Sequence, residues 1–243
     1  MKKFFACSLG GLFILCLVVS AGYGQTAKDV LDKMIEAQGG RKVLEGLKDT
    51  TIVGSLQMIQ MGMNGNLTMY QKEPDKMRID IEIMGMIITQ AYDGEKAWMV
   101  NPQSGTQEEM PEKMAQEMKR QALGNDSYLN PEKYGITYTF KGKEKIQEME
   151  YLVLEQTFKD GNKATLFIDP TTYLIYKTKS KTIDQTGTEV DGESILGDYK
   201  KVGDTTVAHS MTVYQNGAEF MKMTFTKITF NSGLEDAFFK MSK

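Results

Sequence analysis

The chain predicts a mainly β fold, a strongly curved antiparallel sheet or partial barrel with helices laid over it. Three observations carry that prediction. Residues 76–83 alternate without error, Met77, Ile79, Ile81 and Ile83 facing one way and Lys76, Arg78, Asp80 and Glu82 the other, the signature of a strand with one dry and one wet face. Similar period-two runs recur at short intervals, divided by turn pairs such as Asn64-Gly65, Asp93-Gly94, Asp160-Gly161 and Asn216-Gly217. Only two longer segments of residues 25–243 carry the helical period instead.

The elements follow in order. Lys2 and Lys3 precede an apolar run that ends at Ser20-Ala21-Gly22-Tyr23-Gly24, which reads as a secretory signal peptide over residues 1–24. The run is too short and too interrupted for a membrane span of about 20 residues. Its removal takes both cysteines, Cys7 and Cys16, so the exported, periplasmic chain must be held by an ordinary hydrophobic core. Residues 25–243 suit one domain. The whole chain carries 29 Lys and Arg against 32 Asp and Glu, with the signs interspersed, which argues against nucleic acid as a partner.

Ala27, Val30, Leu31, Met34, Ile35 and Gln38 form one apolar stripe, a helix over 27–38 stopped by Gly39-Gly40. Val43, Leu44 and Leu47 add a short second helical piece. Strands are expected near 51–60, 65–72, 76–84, 86–92 and 95–100, then near 136–145, 149–158, 163–169, 172–183, 188–200, 205–214 and 219–230. Between the two groups, Met114, Met118 and Leu123 sit among charged residues after Pro111, an amphipathic helix over 111–123 with proline at its first position. The segment from Tyr128 to Tyr134 reads as a loop.

The methionines are unusual in number and place. Of 18, eleven fall between residues 58 and 118. Methionine specifies packing poorly and suits apolar surfaces that reshape around variable partners. Met58, Met69, Met77 and Met86 lie on successive strands, and Met114 and Met118 on the helix expected to cover them. That placement predicts an oily cavity between sheet and helices.

Several segments resemble one family. Lys72-Glu73-Pro74-Asp75-Lys76-Met77-Arg78 leads through Asp93-Gly94-Glu95-Lys96-Ala97-Trp98 to Asn101-Pro102. Asp169-Pro170, Asp198-Tyr199-Lys200-Lys201-Val202-Gly203 and Asn231-Ser232-Gly233-Leu234 follow in order. Together they resemble the periplasmic outer-membrane lipoprotein carriers, LolA-like proteins of the lipoprotein-sorting superfamily that includes LolB-like barrels. The resemblance implies an open β-barrel of about eleven strands lidded by helices, with Met77, Ile79, Ile81, Ile83, Met86, Ile88 and Trp98 lining the cavity. The helix bearing Val30, Leu31, Met34 and Ile35 and the helix over 111–123 would form the lid. One departure stands out. The family has an arginine at the position of Glu73, where it latches the lid through hydrogen bonds; glutamate has no donor, so that latch cannot work in the same way.

The implied function is binding and carriage of lipoprotein or lipid acyl chains toward the outer membrane. No catalysis or cofactor is needed, and an inner-membrane release complex and an outer-membrane acceptor would be partners. A sensor or acceptor on the same fold is an alternative. So is a Cu(I) protein using Met61, Met63, Met84 and Met86, soft thioethers on two turns at one end of the sheet. An enzyme is the weakest reading. His209, the lone histidine, shares a strand pattern with Val207 and Met211, and no nucleophile elbow, zinc motif or phosphate loop appears.

Overall fold

The computed structural model describes residues 25–101, 103–184 and 186–242. The leader read over residues 1–24 lies outside them. Among the described residues no helix is long and apolar enough to cross a membrane.

The chain opens with α1 (Ala27–Ala37), started by a capping box in which Thr26 and Asp29 exchange hydrogen bonds, and α2 (Arg41–Gly46). A meander follows: β1 (Asp49–Met58), β2 (Met63–Lys72), β3 (Lys76–Ile83), β4 (Met86–Tyr92), β5 (Ala97–Val100) and β6 (Gln107–Glu109). Next come α3 (Glu112–Gln121), α4 (Asp126–Leu129) and a 3-10 turn (Pro131–Tyr134). The second run holds β7 (Thr137–Ile146), β8 (Met149–Thr157), β9 (Lys163–Ile168), β10 (Ile175–Ile183) and β11 (Glu189–Gly197). A small hairpin, β12 (Lys200–Val202) and β13 (Thr205–Val207), precedes β14 (Ser210–Gln215) and β15 (Ala218–Phe230).

Thirteen strands form one antiparallel sheet in the order β6-β5-β4-β3-β2-β1-β15-β14-β11-β10-β9-β8-β7, and β12-β13 stand apart. The long last strand β15 is the seam: it pairs with β1 on one side and β14 on the other, joining the two meanders. The expected count of about eleven is therefore corrected upward. The twelve strands read from the alternation all join the sheet, and β6, too short for an alternating pattern, is the thirteenth. A break after Gly197, where Asp198 takes a positive φ of 51°, adds the separate hairpin without changing that count. There the His209 amide pairs with the Gly197 and Asp198 carbonyls. What read as strands over 188–200 and 205–214 is thus two sheet strands with a hairpin between them. His209 sits in the break, its Nδ1 3.1 Å from the Val207 carbonyl.

The sheet is bent hard. β4 and β10 lie seven strands apart in the sheet order, about 34 Å if it were flat at about 4.8 Å per strand. Yet α3, a single helix, packs against both of them. Bulges at Val53/Gly54 and Val213/Tyr214 in the seam region supply local twist. Gly54 is required there, since a Cβ would sit 2.2 Å from the Thr224 carbonyl oxygen.

Each face is covered differently. On the concave side α1 buries Val30 and Met34 against Leu152, Leu154, Leu166 and Ile168 of β8 and β9. Leu31 and Ile35 pack with Leu44, Leu47 and Leu129. On the convex side the C-terminal segment crosses back over β2–β5 as a strap. Ser232 N and Oγ, Gly233 N and Leu234 N all donate to the carboxylate of Asp49, at 2.7, 2.7, 2.9 and 3.3 Å. Further along, a 3-10 turn (Asp236–Phe239) sets Phe238 edge-on to Tyr70 and under Arg78. Burial alone would raise the Asp49 pKa, but the strap donors outweigh it and hold the group below its ordinary value.

Candidate functional site

The concave face between the seam strands and α3 is hollow. The alternation in β3 survives as expected: Gln71 faces Met77 across the ladder, Met69 faces Ile79, Leu67 faces Ile81 and Gly65 faces Ile83. This apolar row leads into two chambers. An outer one of about 270 Å³ lies between the sheet rim and α3, walled by Met58, Ile81, Ile83, Ile88, Met114 and Met118 together with Leu56, Met110, Phe220 and Met221. An inner one of about 240 Å³ lies beneath α2 and α4, walled by Met69 and Met77 with Ile52, Leu47, Tyr128 and Phe230. Met69 and Ile79 pack with both the rim cluster and the α3 cluster, so they stand between the chambers. Taken together, the two fall within the roughly 300–1,000 Å³ of a small-molecule site.

Three larger grooves, of about 540, 570 and 460 Å³, are lined by opposed charges such as Asp75, Lys76 and Lys96 in the first, Lys179, Lys181 and Glu193 in the second and Lys48, Asp126 and Lys133 in the third. Ionic, they offer an apolar chain nothing. The concave chambers differ in kind. Among the described residues neither is lined by Lys or Arg. Their walls are mainly thioether and branched aliphatic, with Gln90, Gln121, Thr182 and Gln215 as neutral polar points in the outer one and the carboxylates of Glu117 and Asp184 at its edge by β10.

Three sequence expectations need correction. Trp98 does not line the hollow. Tyr92 pairs with Ala97 and Ala91 with Trp98, so Ala97 takes the concave side and Trp98 the convex. There Trp98 is only 1% exposed and its Nε1 donates to the Phe239 carbonyl at 2.7 Å. Met86 also lies outside, 55% exposed on the β3–β4 turn. Nor does α1 cover the methionine-bearing strands. Val30 and Met34 are sealed against the opposite arm of the sheet, whose concave side is there a solid core.

The thioethers proposed for copper are scattered in environment. Met63 packs into the rim cluster beside Leu56 and Met58, whereas Met61 and Met84 are 50% and 81% exposed. Among the described residues there is also no group of three or more His, Cys, Asp or Glu placed to hold a metal ion.

Glu73 does form a tie to the cover, with the polarity reversed. Its carboxyl accepts from Asn125 N at 2.8 Å, Asn125 Nδ2 at 3.1 Å and Asp126 N at 3.3 Å, while Gly124 N donates to the Pro74 carbonyl at 3.0 Å. At Glu73 and Pro74 the strand side accepts and the cover donates, whereas Gln71 Nε2 of β2 donates to the Ala122 carbonyl at the end of α3, at 2.6 Å. Gly124 is needed for this approach, since a Cβ there would lie 2.3 Å from Glu73 Oε2. Burial raises the Glu73 pKa, against the pull of the Asn125 and Asp126 amides. Replacing it (Glu73→Ala) strands those donors and should cost about 1–3 kcal/mol of stability, read by denaturant melts. Glu73→Gln, which keeps an acceptor oxygen, should recover part of it.

The cover is pinned again at Asp126, which accepts from Lys133 Nζ at 2.6 Å, Tyr134 Oη at 2.5 Å and Asn130 Nδ2 at 2.6 Å. The Lys133 and Tyr134 hydrogen bonds hold its pKa down from 3.8 to about 2. A depressed carboxylate adds stability above its unfolded pKa and loses it as pH falls through the folded one. This tie should therefore loosen as pH drops from about 4 toward 2. Asp126→Asn should remove that step from the Tyr134 ring NMR shifts. Glu73 runs the other way, its burial penalty easing as protons bind. At the far end Arg120 of α3 reaches Glu117 at 2.7 Å and Asp160 in the β8–β9 turn at 2.6 Å, bridging the arms of the sheet.

Sequence reasoning missed α4 and with it Tyr128, and also the far wall of the outer chamber, Thr182 and Ile183 of β10. The α4 segment has four residues, too few to show a period. The far wall arises only when the sheet bends.

No protein-family model and no curated protein matches the sequence. Solved structures share its fold. A DUF1329 family protein from Desulfovibrio piger superposes with a TM-score of 0.59 at 14% identity, over 88% of this chain and 97% of that one. A putative outer membrane lipoprotein-sorting protein domain from Vibrio parahaemolyticus gives 0.58 at 18% identity, over 88% and 97%. A LolA superfamily protein from Nitrosomonas europaea gives 0.59 at 12% identity, over 89% and 98%. At the level of the fold, the LolA-like resemblance holds.

Proposed function

Starting from that fold, we propose that this chain is a periplasmic binding protein for the acyl chains of lipids or lipoproteins, carrying them toward the outer membrane without covalent chemistry. The observation that supports it best is the pair of adjoining chambers, walled by thioethers and aliphatics and lined by no cation among the described residues. The physical need is large. Each buried methylene is worth about 0.8 kcal/mol, so a chain of roughly sixteen carbons left in water costs on the order of 12 kcal/mol. A carrier must recover most of that and still release its cargo. A methionine wall suits both demands, because unbranched side chains repack around a guest at little cost. Loading needs the cover to part from the sheet, and the Glu73 and Arg120 ties are the contacts that would yield.

The test is native mass spectrometry of the protein purified gently from its own compartment. Acyl lipid or lipoprotein should travel with it at about one per chain and leave on detergent exchange. Purification with bound copper and no lipid would refute the proposal.

A further inference from the structure

Four hydroxyls line the inner chamber without a hydrogen bond to the protein among the described residues, those of Thr50, Tyr70, Thr205 and, on α4, Tyr128. Tyr128 lines that chamber, with its ring packed toward Leu44, Leu47 and Phe230. Every sealed side-chain nitrogen and oxygen among the described residues has a hydrogen-bond partner. The Tyr128 hydroxyl makes no such bond, so its oxygen is not sealed. Two neighbouring phenols are engaged: Tyr138 accepts from Gln156 Nε2 at 3.0 Å, and Tyr199 donates to the Ile175 carbonyl at 2.6 Å. Burial pushes the Tyr128 phenol above its ordinary pKa, so it remains a protonated donor.

The surrounding wall decides what that donor meets. Gln38, Gln71 and Thr205 are neutral, and among the described residues Glu73 presents the only ionisable carboxyl. Since no Lys or Arg lines the chamber among the described residues, a carboxylate or phosphate would lose its water there without a counter-charge. An acyl ester or amide carbonyl brings no charge and accepts one hydrogen bond.

We propose that Tyr128 donates to the carbonyl of a neutral acyl ester or amide, so that the inner chamber selects uncharged acyl groups over free fatty acids. This rests on the acyl-binding reading above and names its ligand chemistry. Because the hydroxyl supports nothing in the protein, Tyr128→Phe should leave the fold untouched and weaken only the ligand.

Calorimetric titrations of the full mature chain with methyl dodecanoate, N-methyldodecanamide and dodecanoate at neutral pH separate the outcomes. Wild type should bind the ester or the amide at least tenfold tighter than the carboxylate, whichever of the two is preferred marking the source of the carbonyl. Tyr128→Phe should lose about five- to tenfold for the preferred one, the worth of one hydrogen bond, with an unchanged melting temperature. Equal affinity for dodecanoate in the wild type would overturn the inference without recourse to any variant. Undiminished ester and amide binding by Tyr128→Phe would overturn it too, as would a lowered melting temperature. Failure of all three ligands to bind would instead bring down the acyl-binding reading itself.

Discussion

Ile81→Asp should lower acyl-chain affinity about 100-fold while the protein stays folded. Ile81 stands on β3 directly across from Leu67 and Ile88, and its side chain lines the outer chamber. It is only half-buried, so in the empty protein an aspartate there can keep water, and the fold loses little. A bound chain would strip that water away. Burying a carboxylate without a partner costs several kcal/mol, and about 3 kcal/mol is enough for the stated loss. Fluorescent acyl-probe displacement reads the affinity and circular dichroism the fold. Near-normal affinity in a folded variant would place the ligand elsewhere.

Asp49→Ala should be the most damaging single change to stability. Its carboxylate is 4% exposed and gathers four donors from the strap, each of which loses its acceptor. A loss of about 3 kcal/mol is expected, or about 6–12 °C in melting temperature for a chain of this size. Freed at Asp49, the strap should loosen at its far end as well, where Trp98 donates to Phe239. The emission of Trp98, the lone tryptophan, should then shift to the red below the melting transition. A variant that melts like the wild type, with blue emission retained, would mean that Phe238 and Phe239 hold the strap without Asp49.

This second case shows how far the sequence could be read. The strands and their dry faces were legible because alternation is local: each of Met77, Ile79, Ile81 and Ile83 is placed by its neighbours two residues away. The convex face looked wet for the same reason, since Arg78 and Asp80 point there. What covers part of it is Phe238 and Phe239, contributed from about 160 residues further along, and no local pattern announces them. For Trp98 it is the family resemblance that implies the wrong side, although its parity with Ala97 and Tyr92 contains the answer once the register is known. Glu73 shows a different limit. As a departure from an arginine latch it read as a lost contact. Only the fold reveals backbone donors at Asn125 and Asp126 that turn the substitution into a contact of opposite polarity.

The methionines that led to the hollow also supply its sharpest test. With their methyl groups carbon-13 labelled, each reports its own distance from a spin-labelled acyl ester. Signals from Met58, Met69, Met77, Met114 and Met118 should broaden together at one equivalent, while Met149, 48% exposed on the β7–β8 turn, stays sharp. Broadening confined to the exposed Met61, Met84 and Met86, or spread evenly over all the methyls, would mean that the chain does not enter between sheet and helices.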